Sequence, residues 1–112
     1  MGDDNLGLLQ GTLDVLVLRA LSFGPLHGYG VASFIREGSD GAFRILDGAL
    51  YTSLHRMEER GWVTSSWGHA ESGKRARFYR LTRAGKRRLR LETDSWSRYV
   101  EAVLRVLRPG SV

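Results

Sequence analysis

The stretch DGALYTSLHRMEER, residues 47–60, decides how the rest of the chain is interpreted. Its apolar residues Leu50, Leu54 and Met57 recur at intervals of four and three, the spacing of a helix buried along one side. Asp47 is placed to act as N-cap and Gly61 as the residue just beyond the C-cap. The spacing predicts a short helix whose opposite side faces outward and carries Gly48, Thr52, His55, Arg56 and Glu59, with Tyr51 on the flank.

The outward side of this predicted helix offers a hydroxyl, an imidazole and a guanidinium near its start. Such groups match the hydrogen-bonding partners that base edges and phosphates present in the major groove of DNA. An ordinary amphipathic surface helix has a similar pattern, so the neighbouring segments must decide between the two interpretations.

Two apolar helices are predicted before this stretch. Residues 12–22, TLDVLVLRALS, are apolar almost all round, with Thr12 as N-cap and Gly24 followed by Pro25 as a stop. A helix of this kind belongs in the centre of a small core or in a subunit interface. Residues 28–37, GYGVASFIRE, form the second predicted helix, and its apolar side consists of Val31, Phe34 and Ile35.

Strands are predicted on both sides of the 47–60 helix. Residues 43–46 are interpreted as a short strand, and after Gly61 the apolar period changes from 3.6 to 2. The segments 62–67 and 77–81 then form a β-hairpin whose mobile, partly basic tip is residues 68–74. Three cations of this hairpin are expected to reach a phosphate backbone: Lys74, Arg75 and Arg77.

The last predicted helix begins after Thr82 as N-cap and runs to Pro109. Along this helix, residues that are apolar with one exception recur at alternating spacings of four and three. This is the spacing of a heptad seam. Burying this seam requires a partner, and a symmetric dimer is the simplest one. The seam consists of Leu89, Thr93, Trp96, Val100, Val103 and Leu107.

The order of elements predicts a mainly α protein with a small β-hairpin wing. Two helices leading into a third, followed by a hairpin, describe a winged helix-turn-helix. We expect residues 1–81 to form that DNA-binding part and residues 82–112 to supply a C-terminal dimerisation helix, within one compact unit.

Composition limits the class of protein. The 112 residues suit a single domain, and 42% hydrophobic with 26% charged residues is typical of a globular chain. There is no cysteine, which excludes disulfides and thiolate metal sites. The start, MGDDNLG, lacks the basic region of a secretory signal and no apolar run is long enough to span a bilayer, so we expect a cytoplasmic protein without membrane contact.

The charge is unevenly distributed along the chain. Residues 72–91 hold nine cations and no acid, whereas the remaining residues hold 8 cations against 12 acids. A basic block on an otherwise acidic protein is typical of a surface that binds a polyanion.

Several segments together resemble the PadR family of bacterial transcriptional regulators. They are LLQGTLDVLVLRAL at 8–21, GPLHGYG at 24–30, GALYTSLHRMEERGWV at 48–63 and RFYRLTRAGKRRL at 77–89, followed by Trp96. Their order and spacing are similar to those of the family, and the single C-terminal helix is similar to its shorter subgroup. Thr52 departs from the family pattern, which usually has proline there, so the local DNA contact is expected to differ.

The resemblance implies a homodimer that binds a near-palindromic DNA operator. The 47–60 helices would enter successive major grooves while the wings touch the flanking backbone. It also implies a repressor that a small aromatic or lipophilic effector releases. We hypothesise that planar aromatic compounds bind at Trp96 near the dimer axis, and that Thr52, His55 and Arg56 set base preference.

Other classes of function are less well supported by the sequence. Residues 55–59, HRMEE, lack the second histidine of the inverted zinc-protease pattern, and there is neither a phosphate-binding lysine loop nor a nucleophile elbow. We therefore expect no enzyme activity, no cofactor and no metal. A winged-helix module that binds an acidic protein partner and an RNA-binding winged helix remain as alternatives.

Overall fold

A computed structural model describes residues 11–110, so the acidic start MGDDNLG and residues 8–10 of the first motif lie outside the described residues. None of the helices in the described part combines the length and apolar character that crossing a membrane requires. In chain order the elements are α1 (Thr12–Leu21), β1 (Leu26–His27), α2 (Gly28–Gly38), α3 (Asp47–Glu59), β2 (Val63–His69), β3 (Arg75–Leu81) and α4 (Arg83–Leu107).

The three strands form one antiparallel sheet in the order β1-β3-β2. The hairpin of β2 and β3 pairs Val63 with Leu81 at its base and His69 with Arg75 near its tip. Its strands therefore extend further than predicted, and the turn is reduced to residues 70–74. Arg75, which lay between the predicted tip and the second predicted strand, is the first residue of β3.

The short strand predicted at residues 43–46 is wrong. In the described part of the chain these residues pair with no strand, and the free edge of β3 is taken by Leu26 and His27, which pair with Tyr79 and Phe78. Phe43 and Ile45 instead pack, half-buried, against the core. Their apolar character reflects this packing and not membership of the sheet.

The core lies where α1, α2 and α3 meet the base of the sheet. The predicted stripe of α3 is confirmed, since Leu50, Leu54 and Met57 are at most 1% exposed. Tyr79 of β3 is equally buried and closes the core from the side of the sheet. The other buried apolar residues of this core cluster are Val17, Leu18, Ala20, Leu21, Val31, Ile35 and Val63.

Two predicted helix caps are wrong by one residue. Thr12 lies inside α1, where its buried hydroxyl has no hydrogen-bond partner among residues 11–110, and the N-cap is Gly11 with a φ of 86°. Asp47 is the first residue of α3, after Leu46 as N-cap. Its carboxylate still favours the positive end of the helix dipole.

The predicted end of α3 is confirmed. Gly61 has a φ of 78°, and its N–H donates to Glu58 O at 3.0 Å while the Trp62 N–H donates to Met57 O at 2.9 Å. This pair of hydrogen bonds is the Schellman motif, which ends a helix through a left-handed residue that glycine adopts without strain. The chain therefore leaves α3 in a fixed direction and enters β2.

The start of α4 is attached to the base of the hairpin. Thr82 acts as the predicted N-cap: its hydroxyl accepts from the Gly85 N–H at 3.0 Å and donates to Gly61 O at 2.6 Å. The Thr82 N–H also donates to Trp62 O at 3.0 Å. Gly85 is buried against that same carbonyl, where a side chain would overlap the backbone oxygen.

We predict that Gly85→Ala lowers the free energy of unfolding by about 1–3 kcal/mol, the usual cost of overpacking a site that cannot relax. Gly38→Ala is the matched control, because Gly38 lies in a helix with nothing near its missing Cβ; there we expect an equal or higher stability. Urea unfolding of both variants at one protein concentration measures the difference. Equal stabilities for the two variants would contradict the close contact at Trp62.

Candidate nucleic-acid interface

The side of α3 that faces away from the core is polar and open to solvent. Thr52, His55 and Glu59 are exposed, and the Cβ position of Gly48 has open space around it. The hydroxyl of Thr52 and the imidazole of His55 lie one turn apart, the spacing that places two side chains on the same helix face. This face can donate and accept hydrogen bonds without moving the core.

Arg56 keeps the predicted outward orientation only in part, because its guanidinium turns towards α1. Its Nη2 donates to Asp14 Oδ1 of α1 at 2.5 Å, and its side chain is 38% exposed. Ser53, which is buried, donates to the same carboxylate oxygen at 2.7 Å. Helical spacing alone could not reveal this, because a residue at the edge of the buried side turns inward only when a neighbouring helix supplies a partner.

Tyr51 lies where α3 approaches the start of α2. A Cβ on Gly28 would overlap its phenol ring, so the close approach requires glycine at that position. His27 caps α2, with Nδ1 accepting from the Gly30 N–H at 3.0 Å, and its ring meets Phe78 edge-on at 5.2 Å. Tyr29, which the sequence analysis did not select, is 72% exposed beside them.

The hairpin, which we call the wing, carries an exposed tryptophan among cations. Trp67 is 55% exposed, with the guanidinium carbon of Arg75 at 4.3 Å and that of Arg77 at 5.5 Å from its ring centroid. Arginine over an indole face is a favourable cation–π arrangement that leaves the outer N–H groups free. The sequence predicted only that Trp67 lies in a strand. Its exposure could not be predicted, because it depends on the register of the sheet.

A groove of about 1060 Å³ separates the wing from α2 and α3. Hydroxyls of α2 and α3 lie on one wall, and an indole with three cations lies on the other. A groove of this shape and charge suits the sugar–phosphate backbone of a nucleic acid, which is anionic and offers acceptor oxygens. The residues that line it include Tyr29, Tyr51, Trp67, Lys74, Arg75 and Arg77, together with one acid, Glu71.

Burial raises the pKa of the Tyr79 phenol above its usual 10, and the Arg77 cation beside it lowers that pKa in part. The phenol is therefore neutral at physiological pH and adds no negative charge beneath the wing. Within residues 11–110, no group of three or more histidine, cysteine or acidic side chains is arranged to hold a metal ion.

The outer part of α4 is an apolar surface in the single chain. Tyr99 is 56% exposed, Leu104 45% and Leu107 70%, and every residue from 101 to 110 is exposed. Trp96 is half-buried and stacks on Tyr99, with ring centroids 5.4 Å apart and an interplanar angle of 19°. Tyr99 lies outside the predicted seam, although its spacing of three from Trp96 allows the contact.

The helices α1 to α3 with the adjoining hairpin form a winged helix-turn-helix, which confirms the predicted fold class and places the chain among DNA-binding proteins of this architecture. The profile of the Transcriptional regulator PadR-like family matches residues 17–91, and the chain belongs to this family. It is thus a DNA-binding transcriptional regulator and not an enzyme.

Solved structures of similar proteins agree with this assignment. A PadR family transcriptional regulator from Eggerthella lenta is 31% identical, with a TM-score of 0.72 over 90% of this chain and 86% of that one. A PadR family regulator from Clostridium difficile is 28% identical, with a TM-score of 0.69 over 87% and 98%. A transcriptional regulator from Clostridium thermocellum is 26% identical, with a TM-score of 0.75 over 84% and 88%.

Proposed function

We propose that the chain is a repressor that recognises a near-palindromic operator through α3 and the wing. The outward polar face of α3, placed beside a basic groove, carries this proposal. Thr52 and His55 would contact base edges in the major groove, with Tyr51 on the flank. Lys74, Arg75 and Arg77 would bind phosphates, as expected for a wing on the flanking backbone.

The exposed chemistry favours double-stranded DNA over the two alternative partners. A protein-binding α3 would present apolar or aromatic side chains, whereas Thr52 and His55 are polar. Readers of RNA sequence use open aromatic platforms, but the ring of Trp67 has the guanidinium groups of Arg75 and Arg77 over it.

We predict that Arg75→Ala weakens binding to all duplexes and lowers the slope of log affinity against log salt by about 0.9, the value for one phosphate contact. Arg108→Ala is the control, since it removes the same charge just beyond the far end of α4 and should leave the slope near wild type. Fluorescence anisotropy with labelled duplexes measures both. Equal slopes for the two variants, or tighter binding of a single-stranded RNA of the same sequence, would count against a DNA-binding wing.

The regulator is proposed to act as a homodimer joined through α4. Val103 and Leu107 are 36% and 70% exposed in the single chain and lie on the heptad seam. Burying a side chain of this size contributes about 1.5–3 kcal/mol, so a second copy that covers the seam gains substantially. Two-fold symmetry would set the operator half-sites about 10 bp apart, or a multiple of this distance.

We predict that Val103→Asp dissociates the dimer, because it places an unpaired charge in the seam. Ala102→Asp adds the same charge at the neighbouring position, which the heptad turns away from the partner, and should leave the dimer intact. Sedimentation velocity at micromolar concentration distinguishes the two states. A monomeric wild-type protein would refute dimerisation through α4.

The effector is proposed to be a planar aromatic compound held at Trp96. Its stacked neighbour Tyr99 widens the aromatic surface, and in a dimer each stack would face its symmetry mate. A flat ligand between such rings gains about 0.5–1.5 kcal/mol per aromatic contact beyond burial. Separating the two α4 helices would change the distance between the two α3 helices and so release the operator.

We predict that a planar cationic dye quenches tryptophan fluorescence saturably in the wild type and binds at least tenfold more weakly to Trp96→Ala, the loss of about 1.4 kcal/mol. Trp67→Phe is the control for quenching at the wing and should keep the wild-type affinity. Unchanged affinity in a dimeric Trp96→Ala variant would assign Trp96 to packing alone.

A further inference from the structure

One carboxylate connects α1 to α3. Asp14 Oδ1 accepts hydrogen bonds from Ser53 Oγ at 2.7 Å and from Arg56 Nη2 at 2.5 Å. The Asp14 side chain is 19% exposed, and Ser53 is 1% exposed. Hydrogen bonds to a charged group are short and strong, so these three residues, here called the Asp14 clamp, make a directional contact within an otherwise apolar interface.

A second polar contact holds the other edge of α3. Ser65 Oγ of β2 donates to Glu58 Oε2 at 2.7 Å and accepts from Arg77 Nε of the wing at 2.9 Å. The recognition helix is therefore joined to α1 on one side and to the wing on the other. The two connections use separate side chains and do not share an atom.

The two connections flank the outward face of α3. At 100° per residue, Ser53 and Arg56 lie on one edge of the helix and Glu58 on the opposite edge, with Thr52 and His55 between them. Burial of the apolar stripe prevents α3 from turning over, but because apolar burial is non-directional it resists small rotations of α3 about its own axis only weakly. Hydrogen bonds at the edges supply that missing directional restraint.

We propose that Asp14 is a positioning residue for DNA recognition. It holds α3 at the rotation that presents Thr52 and His55, and it keeps Arg56 out of the reading surface. This inference rests on the proposed function, in which α3 reads base edges. A carboxylate near the DNA opposes binding through its charge, so the contribution of Asp14 to recognition comes from orienting the helix.

The alternative, that Arg56 contacts DNA and Asp14 merely restrains it, predicts a different effect on sequence discrimination. If Arg56 reads DNA, removing the Asp14 charge frees a cation and strengthens binding. If Arg56 only positions α3, removing the charge loosens the helix and weakens discrimination between sequences. The ratio of the affinities for the selected and an unrelated duplex therefore decides between the two, because in Asp14→Asn it stays at or above the wild-type value in the first case and falls in the second.

The probes are a duplex enriched from a random-sequence pool by the wild-type protein and a scrambled duplex of equal composition. Affinities of Asp14→Asn, Arg56→Ala and the double variant are measured for both across a range of salt concentrations. We expect each single variant to lower the ratio of enriched to scrambled affinity by about tenfold. The double variant should lose no more than the worse single variant, and the salt slope of Arg56→Ala should equal that of the wild type.

A ratio of enriched to scrambled affinity in Asp14→Asn that equals or exceeds the wild-type ratio, together with a salt slope steeper by about one unit, would overturn the proposal. Additive losses from the two single variants would also overturn it. Ser53→Ala removes one hydrogen bond without changing charge, and it tests the clamp even if Asp14→Asn fails to fold. We expect a several-fold loss of the affinity ratio in Ser53→Ala, and an unchanged ratio in this folded variant contradicts the clamp.

His55→Ala in the same assay distinguishes a failure of the Asp14 clamp from a failure of the proposed reading of DNA by α3. A lower affinity ratio in His55→Ala with a wild-type ratio in both Asp14→Asn and Ser53→Ala refutes the clamp but leaves α3 as the reading helix. Wild-type ratios in all three variants refute the reading of base edges by α3 itself, and with it the basis of the clamp.

Discussion

The burial of one side of α3 is the constraint on which the remaining structure depends. Leu50, Leu54 and Met57 are at most 1% exposed, and burying a side chain of this size stabilises the fold by about 1.5–3 kcal/mol. The helix cannot turn this side outward without losing that stabilisation. The buried residues Leu50, Leu54 and Met57 therefore determine which side of α3 faces a ligand.

The connections at the C-terminal end of α3 extend this constraint to the other functional surfaces. The Schellman motif at Gly61 sets the direction in which the chain enters the wing. Trp62, the next residue, accepts a hydrogen bond from Thr82 and lies directly against Gly85 of α4. One short region thus fixes α3, the wing and the start of α4 relative to one another. In the proposed dimer, a change in the separation of the two α4 helices would therefore be transmitted to the two α3 helices.

Periodicity correctly predicted the features that depend on burial of one side of an element. It failed for features that depend on contacts between residues distant in the sequence. The buried stripe of α3, the end at Gly61 and the cap at Thr82 follow from local rules and were all found. The ion pair of Arg56 was missed because it depends on Asp14, which is 42 residues away in the sequence. Strand β1 was missed because two residues are too few for a period, and its existence depends on the free edge of β3. The exposed Trp67 likewise depends on the register of the sheet.

The central claim is that α3 and the wing, rather than α4, form the DNA-reading surface. Amide chemical shifts of the ¹⁵N-labelled protein, measured with and without the enriched duplex, test it most directly. We expect the largest chemical-shift changes at Thr52, at His55 and in residues 67–77 of the wing, with small changes in residues 101–107. Large changes confined to α4, with α3 unaffected, would contradict it.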